Sequence, residues 1–401
     1  MSPRFTAGQT GRPRRVAFYS HDTQGLGHVR RNIAIAASIV ADDPGTEVLL
    51  LTGNPETTRL PLPAHTEVVT LPTVGKRTSG AYHSRVLLSP LTFTVALRRE
   101  ILRAALTGFA PDLLVVDKVP LGFAGELEPT LGELRAGQRT AVVLGLREVL
   151  DEPSVAMNEW ESMDSSRAVA DYYDAVWVYG DRSVYDLVEE YRLPPEVAGK
   201  VSYTGYLARG REAGTATSRS SSGPPRRPFV LCTVGGGQDG FELAQTFVST
   251  SLPAGHLGIV LSGPFMKDAQ RQRLQLLARA NPGMAILDFV PNPEHFMREA
   301  AATVSMAGYN SVCEVLAANR PTLLVPRTTP RAEQFVRARQ LADRGLVDLA
   351  LPAEVTPSVL ARWMAEAVQR TGRSAHPVDL DGLGRIPALA DNLWEGLAHA
   401  V

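Results

Sequence analysis

Short apolar runs recur along this chain, and most are followed by a segment with helical spacing. Residues 15–20, 47–52, 67–71, 112–116, 140–145, 175–179 and 201–204 read as strands. Between them, residues 29–40, 91–109, 122–135, 154–173 and 182–191 carry helical patterns. Strands this uniformly apolar, alternating with helices, predict a parallel sheet covered on both faces. Residues 209–228 (RGREAGTATSRSSSGPPRRP) have no hydrophobic period and read as a linker or surface loop. The alternation then restarts. Strands are expected at 229–234, 256–261, 284–287 and 322–325, with one more just ahead of Ala307. Helices are expected at 241–251, 266–280, 294–299, 357–369 and 386–400. The fold class is α/β, with two similar parallel-sheet halves. Ligands of such sheets sit beyond the carboxyl ends of the strands. Two halves facing each other would place their strand-end loops across one cleft.

Composition bears on function more than on fold. A chain of 401 residues suits two domains, and a hydrophobic share of 44% supports two cores. The formal net charge of −1 offers no bulk field for nucleic acid. Cys232 and Cys313 fall on an expected strand and helix, make no disulfide framework and suit a reducing compartment. No metal-ligand Cys/His spacing is present. The N-terminal residues lack the apolar stretch of a secretory signal, and no apolar run reaches the length of a membrane span. The expectation is a soluble cytoplasmic protein, with peripheral contact at the inner face of a membrane left open.

The densest chemistry lies in residues 301–334, AATVSMAGYNSVCEVLAANRPTLLVPRTTPRAEQ. A strand runs into a turn at Ala307 and Gly308. A helix then opens at Tyr309, Asn310 and Ser311, whose free N–H groups make an anion site. Glu314, almost one turn further in, is placed to meet hydroxyls attached to that anion. Diphosphate plus ribose fits these parts. Ser311 and Glu314 also read as an S-x-x-E capping box, which needs no ligand. Glu333 and Gln334 begin the next helix and could hydrogen-bond sugar hydroxyls or simply initiate that helix.

Two glycine-bearing loops follow the first strand of each half. One carries Gly25 and Gly27, the other Gly235, Gly236 and Gly237. Either lets a backbone approach a phosphate or the opposite domain, and either could be a plain tight turn. The dinucleotide pattern G-x-G-x-x-G is not completed, because Arg30 stands at its last position. His28 lies in the first turn of a helix, where the positive dipole end favours the neutral imidazole of a general base. His21 and Asp22 are near enough in sequence to support or compete with it. Asp117, followed by Lys118, ends a strand and suits an active-site rim or a helix cap. Asp379 and Asp381 form a D-x-D, but in a Gly/Pro-rich loop it reads as a turn, so no metal is expected. The helix at 91–109 carries Arg98, Arg99 and Arg103; it could lie on an anionic membrane or pack on its sheet. Residues 72–89 look irregular and are a candidate acceptor loop.

These segments resemble the GT-B glycosyltransferases and, within them, the MurG-like group with a family 28-type C-terminal domain. SHDTQGLGHVRRN, VVDKVPLG, the GGGQDG loop, and GYNSVCEVLAANRPTLLVPR followed by AEQ carry the resemblance. It implies two Rossmann-like domains facing across a cleft. Residues 1–208 would bind the acceptor, 209–228 would link, and 229–382 would bind the donor. A final helix, 383–401, would cross back to the first domain. The implied reaction moves a sugar from a nucleotide diphosphate sugar, UDP-linked by preference, to an acceptor hydroxyl. Inversion, no cofactor and no metal are implied, with a small-molecule, glycan or lipid-linked acceptor. By position, Gly308 to Ser311 receive the diphosphate, Glu314 the ribose and the backbone of Val290 the base. Glu333 and Gln334 read the sugar, and His28 takes the acceptor proton. GLGH departs from the group's fuller glycine-rich loop, and Glu333 stands where a glutamine is common, so sugar and acceptor stay open. An epimerase of the same fold and a non-catalytic nucleotide-sugar binder are the alternatives.

Overall fold

The computed structural model describes residues 12–21, 25–76, 81–137, 139–211, 223–288, 290, 293–370 and 378–399. The first half opens with β1 (Arg15–Ser20), α1 (Gly27–Asp42), β2 (Glu47–Thr52) and β3 (Thr66–Thr70). A hairpin of β4 (Val74–Lys76) and β5 (Tyr82–Ser84) precedes α2 (Leu91–Phe109). Next come β6 (Leu113–Asp117), α3 (Glu128–Gly137), β7 (Ala141–Arg147), α4 (Pro153–Ser162) and α5 (Ser165–Tyr172). β8 (Ala175–Tyr179), α6 (Leu187–Glu190), α7 (Pro195–Ala198) and β9 (Val201–Tyr203) complete it. The strands form a parallel sheet in the order β3-β2-β1-β6-β7-β8-β9, with the hairpin apart.

The second half holds β10 (Phe229–Thr233), α8 (Phe241–Val248), β11 (Leu257–Leu261), α9 (Asp268–Ala280) and β12 (Met284–Leu287). It continues with α10 (Pro293–Glu299), β13 (Ala302–Ser305), α11 (Tyr309–Ala318) and β14 (Thr322–Leu324). α12 (Glu333–Asp343), β15 (Asp348–Leu349), α13 (Pro357–Ala367) and α14 (Gly382–His399) close the chain. Its parallel sheet runs β12-β11-β10-β13-β14-β15.

β1 shows why each sheet needs two covers. Val16 and Phe18 enter one core while Ala17 and Tyr19 enter the other. Full burial of a side chain such as Phe18 contributes roughly 1.5–3 kcal/mol, so neither face tolerates solvent. In both sheets the strand order reverses at the first strand, with β1 between β2 and β6 and β10 between β11 and β13. Loops leaving such a switch point diverge and open a crevice. At these strand ends lie Gly27, which opens α1, Asp117, which closes β6, and the loop residues Gly235 and Gly308.

α14 packs against α1 of the first half. Ser38 donates to the Leu383 carbonyl at 2.5 Å, and Arg14 pairs with Asp391 at 2.7 Å while covering the Trp394 ring. Asp379 and Asp381 form the turn into α14: Asp379 accepts from the Asp381 N–H at 3.1 Å and pairs with Arg385. Two expectations need correction, and one open choice is decided. Residues 72–89 are not wholly irregular, since they hold the β4–β5 hairpin. Residues 182–191 form only the short α6, because the Asp181 carboxylate takes the Ser183 N–H at 2.8 Å and makes a turn instead. On α2, Arg98 is not part of a basic surface: it is fully buried and pairs with Glu126 at 2.6 Å. Arg103 pairs with Glu133 of α3, and Leu102 and Leu106 are buried beneath the sheet, so α2 packs rather than lies free. Among the described residues no helix is long and apolar enough to cross a membrane.

Candidate active site

A cavity of about 320 Å³ opens between the two sheets at their switch points. The first half lines it with Gly27, His28, Arg30, Arg31 and Arg147. The second half lines it with Gly235, Gly236, Val290 and the start of α11 from Gly308 to Ser311, with Glu314 behind. Ligand pockets commonly occupy such clefts at domain interfaces.

The start of α11 is uncapped. Its N-cap is Gly308, with no side-chain cap hydrogen bond, so Ser311 lies inside the helix and the capping-box reading fails. The free N–H groups therefore remain available to an anion. A Cβ added at Gly308 would project into open space. Glu314 is buried, and its Oε1 accepts from Arg30 of the first half at 2.8 Å, with Arg211 at 3.9 Å. A ribose would have to share that carboxylate with Arg30 or use its other oxygen. Asn310 ties the halves together, donating to the Gly27 carbonyl at 2.9 Å and accepting from Arg211 at 3.1 Å.

His28 and Asp117 meet. His28 Nδ1 lies 3.1 Å from Asp117 Oδ1, at the end of β6, and 3.1 Å from a guanidinium nitrogen of Arg31. In the tautomer that donates from Nδ1 to Asp117, Nε2 carries the lone pair a base needs. Asp117 is 1% exposed and also accepts from Arg31 at 2.6 Å. Burial alone would raise this carboxyl. The charges of Arg31 and His28 and their hydrogen bonds outweigh burial and hold it below the usual carboxylate range. Arg31 is itself 2% exposed, with its guanidinium 5.5 Å from the Tyr309 ring centroid and 5.7 Å from that of Tyr179. His21 stacks on Phe123, with its ring 6.0 Å from His28. Burial first, and then the charge of His28, push His21 down to about 3. It stays neutral at physiological pH. Asp22 lies outside the described residues, as do 212–222 of the linker.

The remaining candidates divide. Gly25, at φ 80°, shapes the loop before α1. Gly237 serves its own loop rather than the cavity: at φ 87°, a Cβ there would lie 2.2 Å from the Ser262 carbonyl oxygen. Glu333 and Gln334 sit outside the cavity wall. Gln334 accepts from the Arg327 N–H at 3.2 Å, and Glu333 Oε1 accepts from the Arg327 side chain at 2.7 Å. Glu333 Oε2 is buried with no hydrogen-bond partner among the described residues. Their loop is clipped to the first half, where Arg331 pairs with Asp151 at 2.8 Å.

Several cleft residues were not picked out as candidates from sequence. Arg30 and Arg31 stand as charges within the apolar α1, and Arg147 with Glu148 ends β7 as Asp117 ends β6. The strand-end argument that singled out Asp117 applies equally to Arg147 and Glu148. Glu148 binds Arg337 of α12 at 2.6 Å, both fully buried, and so joins the two halves. Among the described residues, no group of three or more His, Cys, Asp or Glu side chains is placed to hold a metal ion.

Residues 231–376 match the glycosyltransferase family 28 C-terminal domain. A curated relative, the UDP-N-acetylglucosamine–N-acetylmuramyl-(pentapeptide) pyrophosphoryl-undecaprenol N-acetylglucosamine transferase of Phenylobacterium zucineum, is 25% identical over 218 residues. That match takes in 50% of this chain and 56% of the relative, so the chain spans about half the length of the curated relative it matches. The crystal structure of Acinetobacter baumannii MurG superposes with a TM-score of 0.55 at 14% identity, covering 97% of this chain and 99% of that one. A Listeria monocytogenes structure described as a UDP-N-acetylglucosamine 2-epimerase superposes at 0.62 with 10% identity, covering 96% and 97%. At these identities the superpositions establish the fold, which transferases and an epimerase share. The chain thus has the GT-B fold of these structures, and its residues 231–376 match the glycosyltransferase family 28 C-terminal domain.

Proposed function

We propose that this protein transfers a sugar from a nucleotide diphosphate sugar, UDP-linked by preference, to an acceptor hydroxyl. Inversion at the anomeric carbon and independence of metal are part of the proposal. The observation that carries it is one cavity onto which His28, held by Asp117, and the uncapped start of α11 both open. In this reading residues 229–382 hold the donor and residues 1–208 present the acceptor. The acceptor hydroxyl gives its proton to His28 Nε2 while its oxygen attacks the anomeric carbon. The bond from that carbon to the diphosphate breaks, and the electron pair leaves on the phosphate oxygen. The N–H groups at Tyr309 to Ser311 face the developing charge. Glu314 holds the ribose, the Val290 backbone the base, and Glu333 with Gln334 the sugar.

Calorimetric titration with UDP, GDP, ADP and dTDP, with and without magnesium, tests the donor half of the proposal. Metal-independent binding of one of them, reduced at least about tenfold in Glu314→Ala by loss of a charge-assisted hydrogen bond, is the expected result. Binding indifferent to Glu314 would remove it from the ribose site. Incubating the bound donor without an acceptor separates the epimerase reading, which the shared fold keeps in play. Sugar conversion under those conditions would overturn transfer.

The acceptor half follows from the surface. Val86 is 75% exposed and Phe93 53%, and Leu88 beside them is fully exposed. This apolar lip lies on the segment between the β4–β5 hairpin and the first turn of α2. The relative's name places its acceptor on pyrophosphoryl-undecaprenol, and an apolar lip suits a lipid-linked acceptor at a membrane surface. Leu88→Asp with Phe93→Asp should weaken sedimentation with phosphatidylglycerol vesicles by about tenfold or more. Nucleoside diphosphate binding should not change. Vesicle binding equal to wild type would rule out the lip as a membrane contact.

A further inference from the structure

Two cations near the reaction centre have no side-chain partner among the described residues. The other arginines there are paired: Arg31 with Asp117, Arg30 with Glu314, Arg327 with Glu333, Arg331 with Asp151 and Arg337 with Glu148. Arg147, the last residue of β7, lines the cavity but makes no hydrogen bond or ion pair with any described residue, and its Nε is buried without a partner. Lys118, which follows Asp117 at φ 71°, likewise has no side-chain partner among the described residues. Burial, followed by the charges of Arg337 and Arg31, pushes Arg147 down to about 10. Burial, followed by the charge of Arg147, pushes Lys118 down to about 8. A partly buried cation without a hydrogen-bonded anion is costly, and Arg147, left in that state on the cavity wall, points to a missing anion.

We infer that Arg147, backed by Lys118, is the first half's share of the diphosphate seat and grips the phosphates from across the cleft from α11. The inference rests on the donor reading above. Arg147 lines the same cavity as Gly235, Gly308 and Ser311, so an anion lying against those backbones is within its cavity. A guanidinium offers paired donors that match phosphate oxygens. A nucleotide sugar brings one negative charge per phosphate, and the departing nucleoside diphosphate gains another when the bond to the sugar breaks. Arg147 would meet that charge as it develops, from the domain that also carries His28. Donor binding by the second half is thereby coupled to the first.

The test compares Arg147→Met, Arg147→Lys, Lys118→Met and Glu314→Ala with the wild type. Each is titrated with UDP, GDP, ADP and dTDP and with the corresponding nucleosides. The expected result is a loss of about 10- to 100-fold in nucleoside diphosphate affinity for Arg147→Met, with nucleoside affinity unchanged. Arg147→Lys should recover part of the loss, and Lys118→Met should show a smaller one, so a folding defect in one variant does not decide the matter. If Glu314→Ala loses binding while Arg147→Met and Lys118→Met bind as wild type does, the donor reading stands and this inference falls. If Arg147→Met changes only the KM of an anionic acceptor, the seat belongs to the acceptor and the inference falls. If the wild type binds none of the nucleoside diphosphates, both readings fall.

Discussion

His28→Ala should slow sugar transfer by roughly 10²- to 10⁴-fold, the usual contribution of a positioned general base, and leave nucleoside diphosphate binding intact. The argument is geometric. His28 lines the cavity, and its Nδ1 is occupied by Asp117 and Arg31, each at 3.1 Å, so the other ring nitrogen is the one available to the acceptor. Asp117 also holds Arg31, which makes the carboxylate common to two buried contacts. Because its folded-state pKa is depressed, Asp117 contributes stability that is full above the unfolded value of about 4 and lost as pH falls through the folded value. The dyad therefore stays assembled across the neutral range. Asp117→Asn should reduce turnover as well, and should also destabilise the fold by leaving Arg31 without its anion. Single-turnover kinetics beside a calorimetric binding isotherm check both statements. Unimpaired turnover in His28→Ala would remove the histidine from the chemistry and leave the cavity a binding site.

Glu148→Ala should lower stability by about 3–5 kcal/mol, the cost of breaking a buried pair and stranding one charge. Glu148 and Arg337 are both fully buried, and the other contacts of Arg337 include the carbonyls of Ala307 and Val149 and the Tyr309 ring. Burial works against the charged guanidinium, and the Glu148 carboxylate more than offsets it, holding Arg337 above the usual arginine range. The pair lies between β7 of one half and α12 of the other, so its loss should also loosen the two halves from each other. Urea unfolding checks the magnitude. Replacing both partners, as Glu148→Leu with Arg337→Met, should restore much of the loss, since the stranded charge is then gone. A single variant as stable as wild type would mean that water reaches Arg337 in solution.

Much of the architecture was legible from local pattern. Strands 15–20, 175–179 and 284–287 and helix 91–109 are found at the residues where periodicity placed them. Misses came where a local turn or a short pairing won. Asp181 ended the expected helix at 182–191, and the β4–β5 hairpin is too brief to show an alternation. For the site, the glycine loops and the helix start at Tyr309 were visible because they depend on neighbours in sequence. The capping-box ambiguity at Ser311 and Glu314 was not resolvable there, because the same two residues satisfy both readings until Gly308 is seen at the N-cap.

Taken alone, the sequence determined two doubly covered parallel sheets, the loops that leave their first strands, and a histidine and an aspartate at the ends of elements. Each of these follows from residue spacing within a few turns or strands. Only the tertiary structure decided that His28 meets Asp117 across 89 residues, that Arg30 reaches Glu314 across 284, and that Arg337 closes on Glu148. Nor could the chain by itself reveal that Arg147 and Lys118 lack side-chain partners among the described residues. Charge pairing depends on what packs opposite, and burial sets its strength. Both are properties of the assembled cleft and of no single segment.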